Sequence, residues 1–128
     1  MKIKPQKIID ARKILEHVDV VDEEGRVESE YRGYISSFGA SIKQSGLIPC
    51  VAFYENKNSN SQEDKTKITK AILLMLDGKD SKYTSLLDYL LDNGYDLTMQ
   101  KKVIDQAIAL KLALNTYKVK KGKSDEKS

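Results

Sequence analysis

The stretch from Tyr31 to Tyr54 constrains the fold more than any other, because it contains two helical segments separated by a single break. Apolar and aromatic residues recur in its first half at three- and four-residue spacing, which places them on one side of an α-helix. These residues are Tyr31, Tyr34, Ile35, Phe38 and Ile42. We therefore expect a helix whose aromatic stripe faces a core.

The break in this stretch lies at Gly46, a residue type that commonly ends helices in a left-handed conformation. We expect the first helix to end at Ser45 and a short helix to be opened by Pro49, with Leu47 and Ile48 as the link. Proline suits the first turn because its missing N–H would have no helical partner there. The expected buried side of the short helix consists of Cys50, Val51, Ala52 and Phe53.

The same periodicity predicts further helices along the chain, and no segment of convincing length alternates with the period of a strand. The first expected helix runs from Pro5 to about Val18, and the second runs from a turn or acidic opening at 22–25 to Ser45. The third is the short helix that begins at Pro49, and the fourth runs from near Gln62 to Gly78. The fifth runs from a cap at Asp80 or Ser81 to Asn93-Gly94, and the sixth from about Thr98 to Val119. The fifth of these carries Tyr83, Leu86, Leu87, Leu90 and Leu91 on its inner side. The sequence predicts an all-α, single-domain bundle of five to six helices over 1–119, followed by a charged, disordered tail at 120–128.

The last helix has an unusually wide apolar surface. Its main seam consists of Val103, Ala107, Leu110, Leu114 and Tyr117. A second stripe beside it is formed by Ile104, Ile108 and Leu112. Because a surface helix usually has a narrower apolar arc, either this helix is central to the bundle or part of its face binds a partner.

Composition and motifs argue against several classes of protein. A single cysteine, Cys50, excludes an internal disulfide, and no apolar run approaches the ~20 residues needed to cross a membrane. We expect a cytoplasmic protein that does not bind membranes. The chain lacks HExxH, CxxC, GxSxG and a Gly-rich phosphate loop. His17, the only histidine, has no second potential metal ligand one helical turn away, so we predict no metal site. Because the motifs named above are absent too, we also predict no cofactor and no active site.

Two groups of exposed residues are candidates for binding. Arg32, Ser36, Gly39 and Lys43 share one stripe of the second helix, where cations flank a small, approachable backbone surface. This stripe is either a docking surface or an ordinary solvent face. The C-terminal part from Thr98 onward contains eight Lys against three acidic residues, and could face phosphates or simply be solvated. The candidate phosphate contacts are Arg32, Lys43, Lys101, Lys102 and Lys111, and the candidate partner-docking residues are Ser36, Gly39, Ile104, Ile108 and Leu112.

The segment FGASIKQSGLIPCVAFY, preceded by EYRGY, resembles the small subunit of the type III-B CRISPR–Cas effector, the Cmr complex. In that family a helix ends in an Ile-x-x-x-Gly-Leu junction and a short helix with Ala-Phe follows. The matching positions here are Ile42, Gln44, Gly46, Leu47, Ala52 and Phe53. A polar loop, a leucine-rich helix pair and a long closing helix follow in the family's order.

The resemblance implies a non-catalytic subunit that packs in the minor filament of an RNA-guided antiviral complex. Its implied partners are the backbone-filament subunit, the Cas10-type large subunit, neighbouring copies of itself, and the guide and target RNA. The alternative is a protein–protein adaptor without direct RNA contact, which would use the broad apolar face of the last helix. A small ribonuclease that uses His17 or a tyrosine is a third hypothesis.

Overall fold

A computed structural model describes residues 3–56 and 64–120 of the chain. In these ranges the chain forms six α-helices and two strands of two residues each. The elements are α1 (Pro5–His17), β1 (Arg26–Val27), α2 (Ser29–Ser45), α3 (Leu47–Tyr54), α4 (Thr66–Asp77), α5 (Leu86–Asn93), α6 (Leu97–Leu114) and β2 (Lys118–Val119). The prediction of an all-α bundle is confirmed.

Helix α6 lies at the centre of this bundle, packed against α1, α2 and α4. All residues of its predicted main seam are buried: Val103, Ala107, Leu110, Leu114 and Tyr117. Its second stripe is only partly covered, because Ile104 and Ile108 are half-buried and Leu112 is 39% exposed. The wide apolar arc is therefore explained mainly by the central position of the helix.

The break between α2 and α3 lies at Gly46, as predicted, but the predicted start at Pro49 is wrong. Helix α3 begins at Leu47, directly after Gly46, whose φ of 95° and ψ of 162° redirect the chain without a linker. Pro49 is the third residue of the helix, where its missing N–H still costs no intrahelical bond. Ala52 and Phe53 are exposed, contrary to the prediction. The buried side consists of Leu47, Cys50, Val51 and Tyr54.

The start of α5 also differs from the prediction of a cap at Asp80 or Ser81. Ser85 caps the helix by accepting a hydrogen bond from the backbone N–H of Asp88. Tyr83 therefore precedes the helix, and Leu91, predicted to lie inside, is 57% exposed. The predicted start of α4 near Gln62 lies outside the described residues, and the helix begins at Thr66 in the described part.

Two short strands that the sequence pattern did not indicate lie between α1 and α2 and after α6. Residues 22–25 form a turn, and α2 begins at Ser29. Helix α6 ends at Leu114 instead of Val119, and β2 then pairs in parallel with β1. Lys120, predicted to open the tail, donates its backbone N–H to Val27 O at 2.8 Å. Strands of two residues are too short to produce an alternating pattern in the sequence, which is why they were not predicted. The rest of the predicted tail, 121–128, lies outside the described residues.

Candidate partner and nucleic-acid interface

The predicted stripe on α2 lies on the outer side of the helix. Ser36 and Lys43 are exposed and Gly39 is half-buried. A Cβ atom added at Gly39 would meet no atom within 4 Å. The packing of this chain therefore does not require a glycine there, and the backbone of α2 is open to close approach.

Arg32 begins the same stripe but is held by the chain itself. Its Nη2 donates a hydrogen bond to the backbone oxygen of Tyr117 at 3.2 Å, and its side chain is half-buried. Its Nε is buried and has no hydrogen-bond partner among the described residues. Arg32 thus joins the start of α2 to the segment after α6, and it is not a free surface cation.

The three predicted lysines of α6 are exposed. Lys101 and Lys102 lie in the second turn, and Lys111 lies in the last turn, where a cation interacts favourably with the helix dipole. Within residues 3–56 and 64–120, no carboxylate forms an ion pair with them or with Lys43. These four positive charges are therefore available to a ligand.

The apolar candidates of α6 share a face with part of this charge. Ile104, Ile108 and Leu112 follow at four-residue spacing, and Lys101 lies two turns before Ile108 along the same side. Asp105 lies on this side too, and its buried Oδ1 has no hydrogen-bond partner among the described residues. The face is mixed, with apolar groups between cations.

Tyr117, which follows α6, joins three parts of the bundle. Its hydroxyl donates to Glu16 Oε2 at 2.6 Å and accepts from Arg12 Nε at 3.1 Å. The Arg12 guanidinium lies 4.7 Å from the centre of its ring. Burial, followed by the hydrogen bond to Glu16, raises the pKa of Tyr117. The tyrosine is structural and does not face a ligand.

The segment after Tyr117 is fixed by a cluster of charges, which we call the arm cluster. Lys120 Nζ lies 3.2 Å from Glu28 Oε1 and 3.6 Å from Asp22 Oδ2. Arg26 Nη2 lies 2.8 Å from Glu24 Oε1. The backbone N–H of Arg26 donates to Asp22, and this bond is the main cause that lowers the pKa of Asp22.

An open cleft of about 630 Å³ lies between the ends of α1, α3, α4 and α5, with His17, Glu55, Lys67 and Lys70 among its lining residues. Glu55 Oε2 accepts hydrogen bonds from the backbone N–H groups of Leu86 and Leu87. Burial raises the pKa of Glu55. Glu55 therefore satisfies the start of α5, and it forms no hydrogen bond with His17.

Two other groups with chemical potential are buried in the core. Burial raises the pKa of the Cys50 thiol to about 11, and the thiol donates to Phe38 O at 3.5 Å. Burial raises the pKa of Tyr54 to about 12. Both groups are neutral at physiological pH, and a neutral thiol is a poor nucleophile. Within the described ranges no cluster of three potential metal ligands occurs, and no helix there is long and apolar enough to span a membrane.

The sequence pattern missed one surface, the corner between α5 and α6. Leu91, Tyr95 and Leu97 are strongly exposed there. Leu91 fits the helical period of the inner stripe, which explains the wrong prediction. One feature of the sequence could have indicated the exposure of Leu97: it directly follows Asp96, the residue that caps α6. Residues in the first turn of a helix frequently face solvent.

These features define a small helical-bundle protein whose candidate binding residues lie on the outer faces of α2 and α6 and at a helix corner. The chain belongs to the CRISPR-associated protein family Cas_Cmr5, whose family model matches residues 7–119. Membership makes it a subunit of the type III-B Cmr effector complex, as the resemblance implied. Searches of curated proteins and of solved structures found no match.

Proposed function

We propose that the protein is a non-catalytic structural subunit that packs in the minor filament of the Cmr complex and contacts guide–target RNA. Its partners would be the backbone-filament subunit, the Cas10-type large subunit and neighbouring copies of itself. The observation that carries the RNA contact is the position of Lys43, Lys101, Lys102 and Lys111 on the outer faces of α2 and α6, where each is exposed and has no carboxylate partner in the described chain.

The contrast with other cations of the chain supports this set. Arg26 and Lys120 are neutralised by the arm cluster, and the guanidinium of Arg32 is bound to Tyr117. We therefore assign Arg32 a supporting role and the phosphate contacts to the four lysines. Lysine–phosphate contacts carry no base specificity, which suits a subunit that must accept any guide sequence.

The test is reconstitution of the complex with the four lysines changed to alanine. We expect the variant chain to assemble normally and the complex to hold target RNA at least tenfold more weakly at about 0.15 M salt, because each lost phosphate contact weakens binding. A matched control changes Lys13, Lys70, Lys79 and Lys82, which are equally exposed and unpaired in the described part of the chain. Equal RNA affinity of the two variants would contradict the proposal.

A protein–protein adaptor without RNA contact is the second candidate, and the half-exposed stripe of Ile104, Ile108 and Leu112 favours it. In that case Leu112→Asp would prevent assembly, while the four-lysine variant would bind RNA as the wild type does. Crosslinks between RNA and this chain, mapped to residues, separate the two candidates directly.

A further inference from the structure

The corner between α5 and α6 exposes large apolar side chains to an unusual degree. Leu91 is 57% exposed, Tyr95 55% and Leu97 80%. They lie within seven residues, on either side of the turn at Gly94. Single exposed apolar residues are common on soluble proteins, whereas several in one place indicate a binding surface. We call these three residues the corner surface.

The exposure of the corner surface is not the result of a loose loop. Tyr83 donates its hydroxyl proton to Asp92, and Asn93 Nδ2 donates to the same hydroxyl at 3.1 Å. The rings of Tyr83 and Tyr89 meet edge to face, with centroids 5.3 Å apart. These contacts fix the end of α5, so the backbone that carries Leu91 is already ordered before binding.

The carboxylates of Asp92 and Asp96 adjoin the corner surface along the chain, whereas the nearest cations, Lys82 and Lys101, lie at its edges. From Tyr83 to Gln100 the chain has three acidic residues, Asp88, Asp92 and Asp96, and no Lys or Arg, although the whole protein has a net charge of +3. None of these carboxylates forms an ion pair within residues 3–56 and 64–120. A protein surface that combines apolar side chains with Lys or Arg is complementary to these exposed apolar side chains and carboxylates.

We propose that the corner surface docks on a basic, apolar surface of another protein subunit of the complex. The inference rests on membership in the Cmr complex, but not on the proposed RNA contact. Of the lysines assigned to RNA, Lys101 lies one turn after Leu97, whereas Lys43 lies on α2 and Lys111 in the last turn of α6, so the two binding surfaces adjoin at the first turns of α6.

The test is incorporation of the full-length variant Tyr95→Ser/Leu97→Ser into a complex reconstituted from the other Cmr subunits. We expect an affinity at least tenfold lower than that of the wild type, since central aromatic and aliphatic contacts dominate interface energies. The control variant Ile9→Ser/Phe53→Ser changes one exposed aliphatic and one exposed aromatic residue elsewhere, and we expect less than a twofold effect. Circular dichroism of each variant checks the fold.

The charge argument has its own test. Asp88 is exposed and unpaired with any cation in the described chain, and we expect Asp88→Lys to weaken incorporation several-fold at low salt and less at high salt. Wild-type incorporation of the Tyr95/Leu97 variant would overturn the proposal. The proposal would also be overturned if the wild-type protein self-associated in sedimentation experiments and this variant did not, because the corner surface would then bind a second copy of the chain. If RNA retention depends on the four lysines while the corner variant incorporates normally, this inference fails and the proposed function stands.

Discussion

Glycine has opposite roles at two positions of the stretch 31–54. Gly46 has a φ of 95° and a ψ of 162°, a backbone conformation that side chains disfavour strongly. Gly39 lies in the regular middle of α2, where nothing in the chain needs the missing Cβ. The sequence alone shows that both Gly39 and Gly46 lie in or beside a helix, and only the backbone angles separate the necessary glycine from the dispensable one.

We therefore expect Gly39→Ala and Gly46→Ala to change stability in opposite directions. Gly39→Ala should raise the free energy of unfolding by about 0.5–1 kcal/mol, because alanine restricts the unfolded chain and favours the helix. Gly46→Ala should lower it by about 1–3 kcal/mol because of backbone strain. Urea denaturation measures both values. A loss of stability in Gly39→Ala would show that the outer face of α2 is more crowded than its geometry indicates.

Long-range bonds explain why some residues were assigned correctly from the sequence and others were not. Cys50 and Tyr117 were predicted to be core residues from their places on apolar stripes, and both are buried. Arg32 looked like a free cation, because its partner, the backbone oxygen of Tyr117, lies 85 residues further along the chain. A local pattern contains no information about such a partner.

At the scale of elements, helix ends were predicted better than helix starts. The predicted ends at Gly46, Gly78 and Gly94 are confirmed, since each glycine has a positive φ directly after its helix. The start of α5 was wrong. Its first N–H groups are satisfied by Ser85 and by the carboxylate of Glu55, which comes from α3. Caps supplied by another element cannot be recognised from neighbouring residues alone.

The arm cluster makes the pairing of β1 and β2 dependent on pH. The pKa of Asp22 lies below its ordinary value of 3.8, so its ionised form stabilises the folded arm. That contribution is complete well above pH 3.8 and is lost as the pH falls through the lower folded pKa. We expect the Lys120 N–H, which bonds to Val27 O, to lose protection from amide exchange in this range.

Amide exchange followed by NMR checks this expectation, with Asp22→Asn as the matched variant. Asparagine keeps an oxygen that can accept from the Arg26 N–H but removes the charge that attracts Lys120. We expect a weaker arm whose protection changes less between neutral pH and values below 3.8, because Lys120 keeps its ion pair with Glu28. An unchanged pH profile in Asp22→Asn would assign the titration to another carboxylate.

For the whole molecule, the distribution of charge over separate surfaces indicates more about binding than the net charge does. The net charge of +3 conceals an acidic, apolar corner at 83–100, an arm cluster in which charges neutralise one another, and four unpaired lysines on α2 and α6. The sequence was sufficient for the fold class and for the exposure of those lysines, because exposure follows from helical period. It was not sufficient for the corner, whose exposure depends on how α5 and α6 meet.

This arrangement predicts how salt affects RNA binding by the assembled complex. Each phosphate contact contributes about 0.9 to the slope of log K against log salt on a B-form DNA duplex and about 0.7 on a single strand. If the four lysines all contact phosphates, changing them to alanine should reduce the slope by about 3 for each copy in contact with RNA. The control set Lys13, Lys70, Lys79 and Lys82 should leave the slope unchanged. A variant that binds more weakly with an unaltered slope would show that the lysines act through assembly of the complex, because lost phosphate contacts necessarily reduce the release of counterions.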